Sequence, residues 1–158
     1  MGSQRIDSVA ATSAAPGVVY ELLRDGATWP QWSPIESFEL ERAGQREPEG
    51  LGAIRIFRTG RYTMHEEIVE LASERRFSYA LRSGLPVRGY RVDVDLEPNE
   101  QGTRIRWRSS FDPKFPGTGW LIRRRLEGIT ERFVQGLAAH AAALEQDAHR
   151  ESRPDETS

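Results

Sequence analysis

The sequence predicts an α+β domain in which a strongly curved antiparallel β-sheet is wrapped around one long C-terminal helix. The helix is predicted at 118–147, a stretch without proline in which apolar side chains recur every three or four residues. The positions of this stripe are Ile122, Leu126, Ile129, Phe133, Leu137, His140 and Leu144. The sheet is predicted from short alternating segments between 35 and 111, separated by turns that contain Gly, Asn and Ser. A stripe of this length needs a covering surface, which the sheet would supply.

The elements before the helix follow in a simple order. A first strand at 5–12 precedes a short helix from about Ala15 to Arg24, with Ser13 as the expected N-cap. The segment ATWPQWSP predicts a second short helix between the first and second strands. Six further strands complete a sheet of about seven, at 35–43, 53–58, 61–71, 77–83, 88–98 and 103–111.

Length and composition limit the organisation and the partners of the chain. At 158 residues we expect a single domain at 4–147, followed by a charged, proline-containing and disordered tail at 148–158. The chain has 22 Lys and Arg against 24 Asp and Glu, a balance that argues against a nucleic-acid partner. No apolar run predicts membrane insertion, and the N-terminus lacks the pattern of a signal peptide, so a cytoplasmic location is expected.

The sequence lacks the motifs of several common kinds of functional site. The absence of cysteine excludes disulfides, thiolate metal sites and cysteine nucleophiles. No group of His, Asp and Glu has the spacing of metal ligands, and no nucleotide fingerprint or nucleophile elbow is found. We therefore expect neither a metal nor a cofactor.

Alternation in the last two strands predicts which side chains face the helix. The inward set is Tyr90, Val92, Val94, Leu96, Ile105, Trp107, Ser109 and Phe111. The outward positions are acidic on one strand and mostly arginine on the other, which predicts cross-strand ion pairs. A straight helix cannot contact a curved sheet along its whole length, so a cavity is expected between them.

A family resemblance rests on this order of elements and on several segments. These segments are WPQWSP, PEGLGAIRIF, EEIVELASERRFSYAL and GLPVRGYRVDVDLEPNEQGTRIRWRSSF, followed by the C-terminal helix. Over about 4–147 the chain resembles the polyketide cyclase/dehydrase-like branch of the START-like superfamily, which is also called SRPBCC or the helix-grip fold. The resemblance implies that fold, and it implies a range of functions, since such proteins include aromatase/cyclases, lipid carriers and hormone receptors.

Glu66 is the candidate catalytic carboxylate. It faces the predicted cavity if Met64 does, and His65 then faces outward. A carboxylate on an apolar inner face has a raised pKa unless it is paired, which suits proton abstraction beside a carbonyl. Arg55 on the neighbouring strand is its expected partner, in a catalytic or a purely structural pair. The opposite registers, with Ile54 and Ile56 inward, or Val69 and Leu71 inward after a β-bulge, stay open at this point.

The candidate ligand-binding residues are mostly aromatic or apolar and are expected to face the helix or to lie on it. They are Trp29, Trp32, Met64, Tyr79, Tyr90, Trp107, Ser109, Phe133, Leu137 and His140. Tyrosine and tryptophan combine apolar area with one polar group, as a flat oxygenated ligand requires, although the same residues can fill a solid core. Loops at Ser83–Pro86 and Phe115–Gly117, with Trp120 nearby, are expected to form the mouth.

Three functions remain at this stage. The favoured function is the binding of a small hydrophobic molecule, such as a lipid, an isoprenoid or a polyketide-like compound. The first alternative is a polyketide cyclase or dehydratase that acts in the same cavity through Glu66, Arg55 and the tyrosines. The second alternative is a protein-interaction module with a filled core. An enzyme requires at least two ionisable groups that reach one ligand, whereas a carrier needs only an apolar lining.

Overall fold

One seven-stranded antiparallel sheet forms the body of the domain. The computed structural model describes residues 3–152. Its strands are β1 (Gln4–Thr12), β2 (Ser37–Arg42), β3 (Ile54–Thr59), β4 (Tyr62–Ala72), β5 (Arg76–Ser83), β6 (Val87–Asn99) and β7 (Gly102–Pro113). Their order is β1-β7-β6-β5-β4-β3-β2, so β1 and β2 form the two edges. The predicted strands and their antiparallel pairing are confirmed.

Three α-helices accompany the sheet among the described residues. They are α1 (Pro16–Arg24), α2 (Trp29–Trp32) and α3 (Gly119–Glu151), with a short 3-10 turn at Gly26–Thr28. The helices α1 and α2 connect the two edge strands along the chain, and α3 lies against the curved sheet. This is the architecture predicted from the sequence.

The start of α1 differs from the prediction. Ala15 is the N-cap residue, no side chain caps the helix, and Pro16 occupies its first turn. Ser13 was therefore the wrong cap. A proline at this position has a preset helical φ and leaves one fewer backbone N–H without a partner, which reduces the need for a capping side chain.

The alternation predicted for β6 and β7 is confirmed. The inward residues are all buried, with Trp107 and Phe111 only 1% exposed. On the outer face, Arg106 donates two hydrogen bonds to Asp7, at 3.1 and 2.6 Å. Arg108 is 2.5 Å from an oxygen of Asp95. The arginine row thus forms the expected cross-strand ion pairs.

The buried face of α3 is not centred on the predicted stripe. Ile129 and Leu144 are 39% and 40% exposed, whereas Val134 and Ala141 are fully buried. The C-terminal half of the helix packs on β1 through small residues, which allow a close approach. Thr12 Oγ1, on β1, donates a hydrogen bond of 2.8 Å to the carbonyl of Ala138. Large side chains dominate a hydrophobic pattern, so the contribution of the alanines was missed.

The C-terminal end of α3 also extends beyond the prediction. The helix continues to Glu151, so the part of the predicted disordered tail at 148–151 is helical. Residues 153–158 of that predicted tail lie outside the described residues.

Candidate ligand-binding cavity

A cavity of about 610 Å³ lies between the sheet and α3. This space lies within the range of about 300–1,000 Å³ typical of small-molecule sites. Its helical wall consists of Ile122, Arg125, Leu126, Ile129, Thr130, Arg132 and Phe133. Its sheet wall includes Met64, Glu66, Tyr79, Leu81 and Tyr90, and its remaining lining is Pro34, Ile35, Thr59, Gly60, Arg61, Tyr62, Leu85 and Pro86.

Strand β4 supplies the polar centre of the sheet wall. Met64 and Glu66 line the cavity, as the inward register requires, while His65 lies on the other face, 3.4 Å from Glu41. The pairing of β4 with β5 shifts between Ile68 and Glu70, which marks a β-bulge. Ile68 is buried before this shift, and Leu71 packs against the core after it.

Glu66 is a buried carboxylate on the cavity wall. It is 6% exposed, and its Oε2 has no hydrogen-bond partner among the described residues. Burial raises the pKa of Glu66 to about 7, against the opposing attraction of Arg55. Near neutral pH this side chain is therefore present in both protonation states, and it can either donate or accept a hydrogen bond.

Arg55 lies directly opposite Glu66 in the pairing of β3 with β4 and is fully buried. Its guanidinium carbon is 5.1, 4.9 and 5.0 Å from the ring centroids of Trp29, Phe57 and Phe77. This inward orientation settles the register of β3.

The guanidinium group of Arg55 is held from the side of α1. Its Nη1 donates a hydrogen bond of 3.0 Å to the carbonyl of Leu23 and lies 3.5 Å from Glu49 Oε1. Burial lowers the pKa of Arg55, and the charges of Glu66 and Glu49 oppose that shift. Arg55 does not line the cavity. It is a positioning residue behind the wall, which supplies positive charge to Glu66.

Two tyrosines complete the buried polar part of the cavity. Tyr79 and Tyr90 are 3% and 9% exposed, and both line the same space as Glu66. Burial raises the pKa of each hydroxyl, and the nearby Glu66 raises it further. Both hydroxyls are therefore neutral donors throughout the physiological pH range.

The structure divides the predicted ligand-binding residues into two groups. Met64, Tyr79, Tyr90 and Phe133 line the cavity, together with the candidate catalytic residue Glu66. The others do not line it: Trp29, Trp32, Trp107, Ser109 and Leu137 are buried in the core, and His140 lies on a separate outer groove between α2 and α3.

Aromatic packing explains why the tryptophans lie outside the cavity. The rings of Trp107 and Phe133 are stacked with their centroids 5.6 Å apart, and Trp29 lies 4.7 Å from Phe57. These contacts fill the space beside the cavity with a solid cluster. Alternation identifies the inward face of a strand, but it does not distinguish a core position from a cavity position on that face.

The predicted mouth is correct on one side only. Leu85 and Pro86 line the cavity, whereas Phe115 and Trp120 do not and are 56% and 61% exposed. The turn between β3 and β4 also lines the cavity, where Arg61 lies beside the 43% exposed Tyr62. The Thr59–Gly60 turn was visible in the sequence, but its position beside α3 depends on the curvature of the sheet.

A curved antiparallel sheet that encloses a cavity with a long C-terminal helix defines the START-like, or helix-grip, class of proteins. The sequence profile described as "Polyketide cyclase / dehydrase and lipid transport" matches residues 3–142. The chain belongs to this family.

Solved structures of low sequence identity share the fold. A START superfamily protein from Mycobacterium smegmatis has a TM-score of 0.77 at 13% identity, over 90% of this chain and 99% of that one. Ara h 8.0201 has a TM-score of 0.71 at 13% identity, with the same two coverages. XoxI from Bacillus cereus has a TM-score of 0.69 at 16% identity, over 92% of this chain and 99% of that one. No curated protein matches the sequence.

None of the helices within 3–152 combines the length and the apolar character that a bilayer-spanning helix requires.

Proposed function

We propose that the protein binds a small hydrophobic molecule, such as a lipid, an isoprenoid or a polyketide-like compound, in the cavity between the sheet and α3. The observation that carries this proposal is the 610 Å³ space with a mainly apolar lining and a small polar cluster of Glu66, Tyr79 and Tyr90. Apolar walls provide affinity by removing ligand surface from water, and a few buried polar groups fix the orientation. The family description, which includes lipid transport, supports the same function.

Native mass spectrometry of freshly purified protein tests this proposal, because a bound molecule adds a defined mass. Replacing Met64 with tryptophan should fill part of the cavity and remove that added mass. Thr63→Trp is the matched control, since Thr63 is the exposed neighbour of Met64 on the same strand and does not line the cavity. Equal ligand occupancy in the two variants would refute binding in this cavity.

Catalysis is the second candidate function, and the chemistry of Glu66 favours it. A carboxylate on the cavity wall with a pKa of about 7 and an Oε2 without a hydrogen-bond partner among the described residues is a suitable general base. It would remove a proton from a carbon between two carbonyl groups. The resulting enolate would attack a second carbonyl of the same chain and form a carbon–carbon bond. Tyr79 and Tyr90, which line the same cavity, would donate hydrogen bonds to the oxygens on which negative charge develops. Protonated Glu66 would return its proton to the new alkoxide and give a hydroxyl. Removal of the remaining proton from the carbon between the carbonyl groups, with transfer of a proton to that hydroxyl, would then release water and form a carbon–carbon double bond.

The two functions are distinguished by Glu66→Gln, which keeps the shape of the side chain and removes the base. A carrier should retain its ligand in this variant. An enzyme should still bind a synthetic poly-β-ketone chain but should no longer convert it to the dehydrated cyclic product, as followed by mass spectrometry. Tyr79→Phe is the comparison variant, because it retains the base. If the wild-type protein gives no cyclic product above the uncatalysed rate, the catalytic function is refuted.

A further inference from the structure

The charged residues that line the cavity differ in sign between the interior and the opening. Glu66 is the acidic residue of the lining and is buried. The cationic residues of the lining are Arg61, Arg125 and Arg132, and all three are exposed. We call the exposed lining residues Arg61, Arg125 and Arg132 the rim of the cavity. The rim is positively charged, and it lies next to a mainly apolar interior.

The positions of the three arginines place them on both sides of the rim. Arg125 and Arg132 are seven residues apart on α3, which is about two turns, so they project from the same face of the helix. Ile129 lies between them on that face and also lines the cavity. Arg61 belongs to the turn between β3 and β4, on the sheet side. A head group at the opening can thus be approached by guanidinium groups from two elements.

These arginines have no acidic partner within residues 3–152. None of the three takes part in an ion pair or a side-chain hydrogen bond with another described residue. On the outer face of the sheet, by contrast, Arg106 is paired with Asp7 and Arg108 with Asp95. Unpaired guanidinium groups beside an apolar opening are available for an anion, and their fork of N–H donors matches carboxylate and phosphate oxygens.

We infer that the ligand is an apolar molecule with an anionic head group, a carboxylate or a phosphate, which Arg61, Arg125 and Arg132 bind at the rim of the cavity. This inference rests on the proposed binding function and adds the chemical class of the ligand. The apolar body of the molecule fills the interior, and the head group stays at the water-exposed opening. Glu66 disfavours an anion in the interior, because its ionised form would place two negative charges together away from water.

Isothermal titration calorimetry with three probes of equal chain length tests the inference. The probes are decanoic acid, decyl phosphate and decanol, which share an apolar body and differ in the head group. At neutral pH the wild-type protein should bind at least one of the two anions about tenfold or more tightly than decanol. The order of the two anions identifies carboxylate or phosphate as the preferred group. Increasing the salt concentration should weaken the binding of the anions and leave decanol unaffected.

Arginine variants assign the effect to the rim. Arg125→Gln and Arg132→Gln should each weaken the binding of the preferred anion by about three- to tenfold, and neither should change the affinity for decanol. Arg124→Gln is the matched control, because Arg124 is exposed on the same helix, is unpaired among the described residues and does not line the cavity. Far-ultraviolet circular dichroism checks that each variant is folded.

The possible outcomes separate this inference from the proposed function. Equal affinities of the wild-type protein for all three probes would overturn the anionic head group and leave hydrophobic binding in place. An equal loss of anion affinity in Arg124→Gln and Arg125→Gln would overturn the assignment to the rim. If none of the probes binds and no added mass is found by native mass spectrometry, the proposed function itself fails, and the inference fails with it.

Discussion

Replacing Glu66 with glutamine should remove a pH-dependent loss of stability. The ordinary pKa of a glutamate side chain is 4.5, and burial raises that of Glu66 to about 7 in the folded protein. Below pH 4.5 the carboxyl is protonated in both the folded and the unfolded state. As the pH rises above that value, the unfolded chain releases the proton first, and stability is lost until the folded pKa is passed.

The size of the effect follows from the difference between the two pKa values. One pKa unit corresponds to about 1.4 kcal/mol, so Glu66 should lower the free energy of unfolding by about 2–3 kcal/mol between pH 5 and pH 8. This is a large part of the stability of an ordinary domain, about 5–15 kcal/mol. Glutamine is neutral throughout this range. The difference in stability between Glu66→Gln and the wild-type protein should therefore increase with pH.

Urea denaturation of both proteins at a series of pH values, followed by tryptophan fluorescence, measures this difference. The samples must be free of ligand, because a bound molecule stabilises the folded state. Glu67→Gln is the control for the removal of a carboxylate from the same strand, since Glu67 lies on the opposite face and forms ion pairs with Arg42 and Arg82. If the difference between Glu66→Gln and the wild-type protein were constant from pH 5 to pH 8, the raised pKa of Glu66 would be refuted.

Two pairs of substitutions on α3 test the packing of this helix, each by urea denaturation. Gly136→Ala should destabilise the protein by about 1–3 kcal/mol, because the added Cβ would lie 1.9 Å from the carbonyl oxygen of Trp32. Its control, Gly128→Ala, meets no atom within 4 Å and should stabilise the helix by up to about 1 kcal/mol. Leu137→Ala should cost about 2–5 kcal/mol, because Leu137 is fully buried. Leu126→Ala should cost less, because Leu126 borders space that is already empty. Equal costs of the two leucine substitutions would contradict the position of the cavity.

The fold was predictable because it depends on local periodicity. The alternation of β6 and β7 identified Trp107 and Val94 as inward-facing without knowledge of their neighbours. The same periodicity could not place the buried face of α3. There the close contact is made by Gly136 and Ala138, whose small side chains contribute little to a hydrophobic pattern but permit close packing against α2 and β1.

The site was only partly predictable, because a cavity is a property of several elements together. Tyr79 and Trp29 were equally reasonable ligand contacts from the sequence, yet only Tyr79 lies where the sheet curves away from α3. The arginines at the rim were missed for a related reason. An exposed arginine on a helix normally indicates a solvated surface, and its role at an opening depends on which strands lie opposite.

The buried Glu66–Arg55 pair and the arginines of the rim together favour one orientation of the proposed ligand in the cavity. Burial raises the pKa of Glu66, and the positive charge of Arg55, whose guanidinium group is also held by Leu23 and Glu49, only partly opposes that shift. With a pKa of about 7, Glu66 can hydrogen-bond a neutral oxygen in the interior, and its ionised form disfavours an anion there. The arginines of the rim, by contrast, favour an anionic group. A ligand with an anionic end and a neutral polar group along its chain can satisfy both ends of the cavity in one orientation, with the anion outward. The reversed orientation would place the anion beside Glu66, whose ionised form repels it, and would leave the arginines of the rim without a partner.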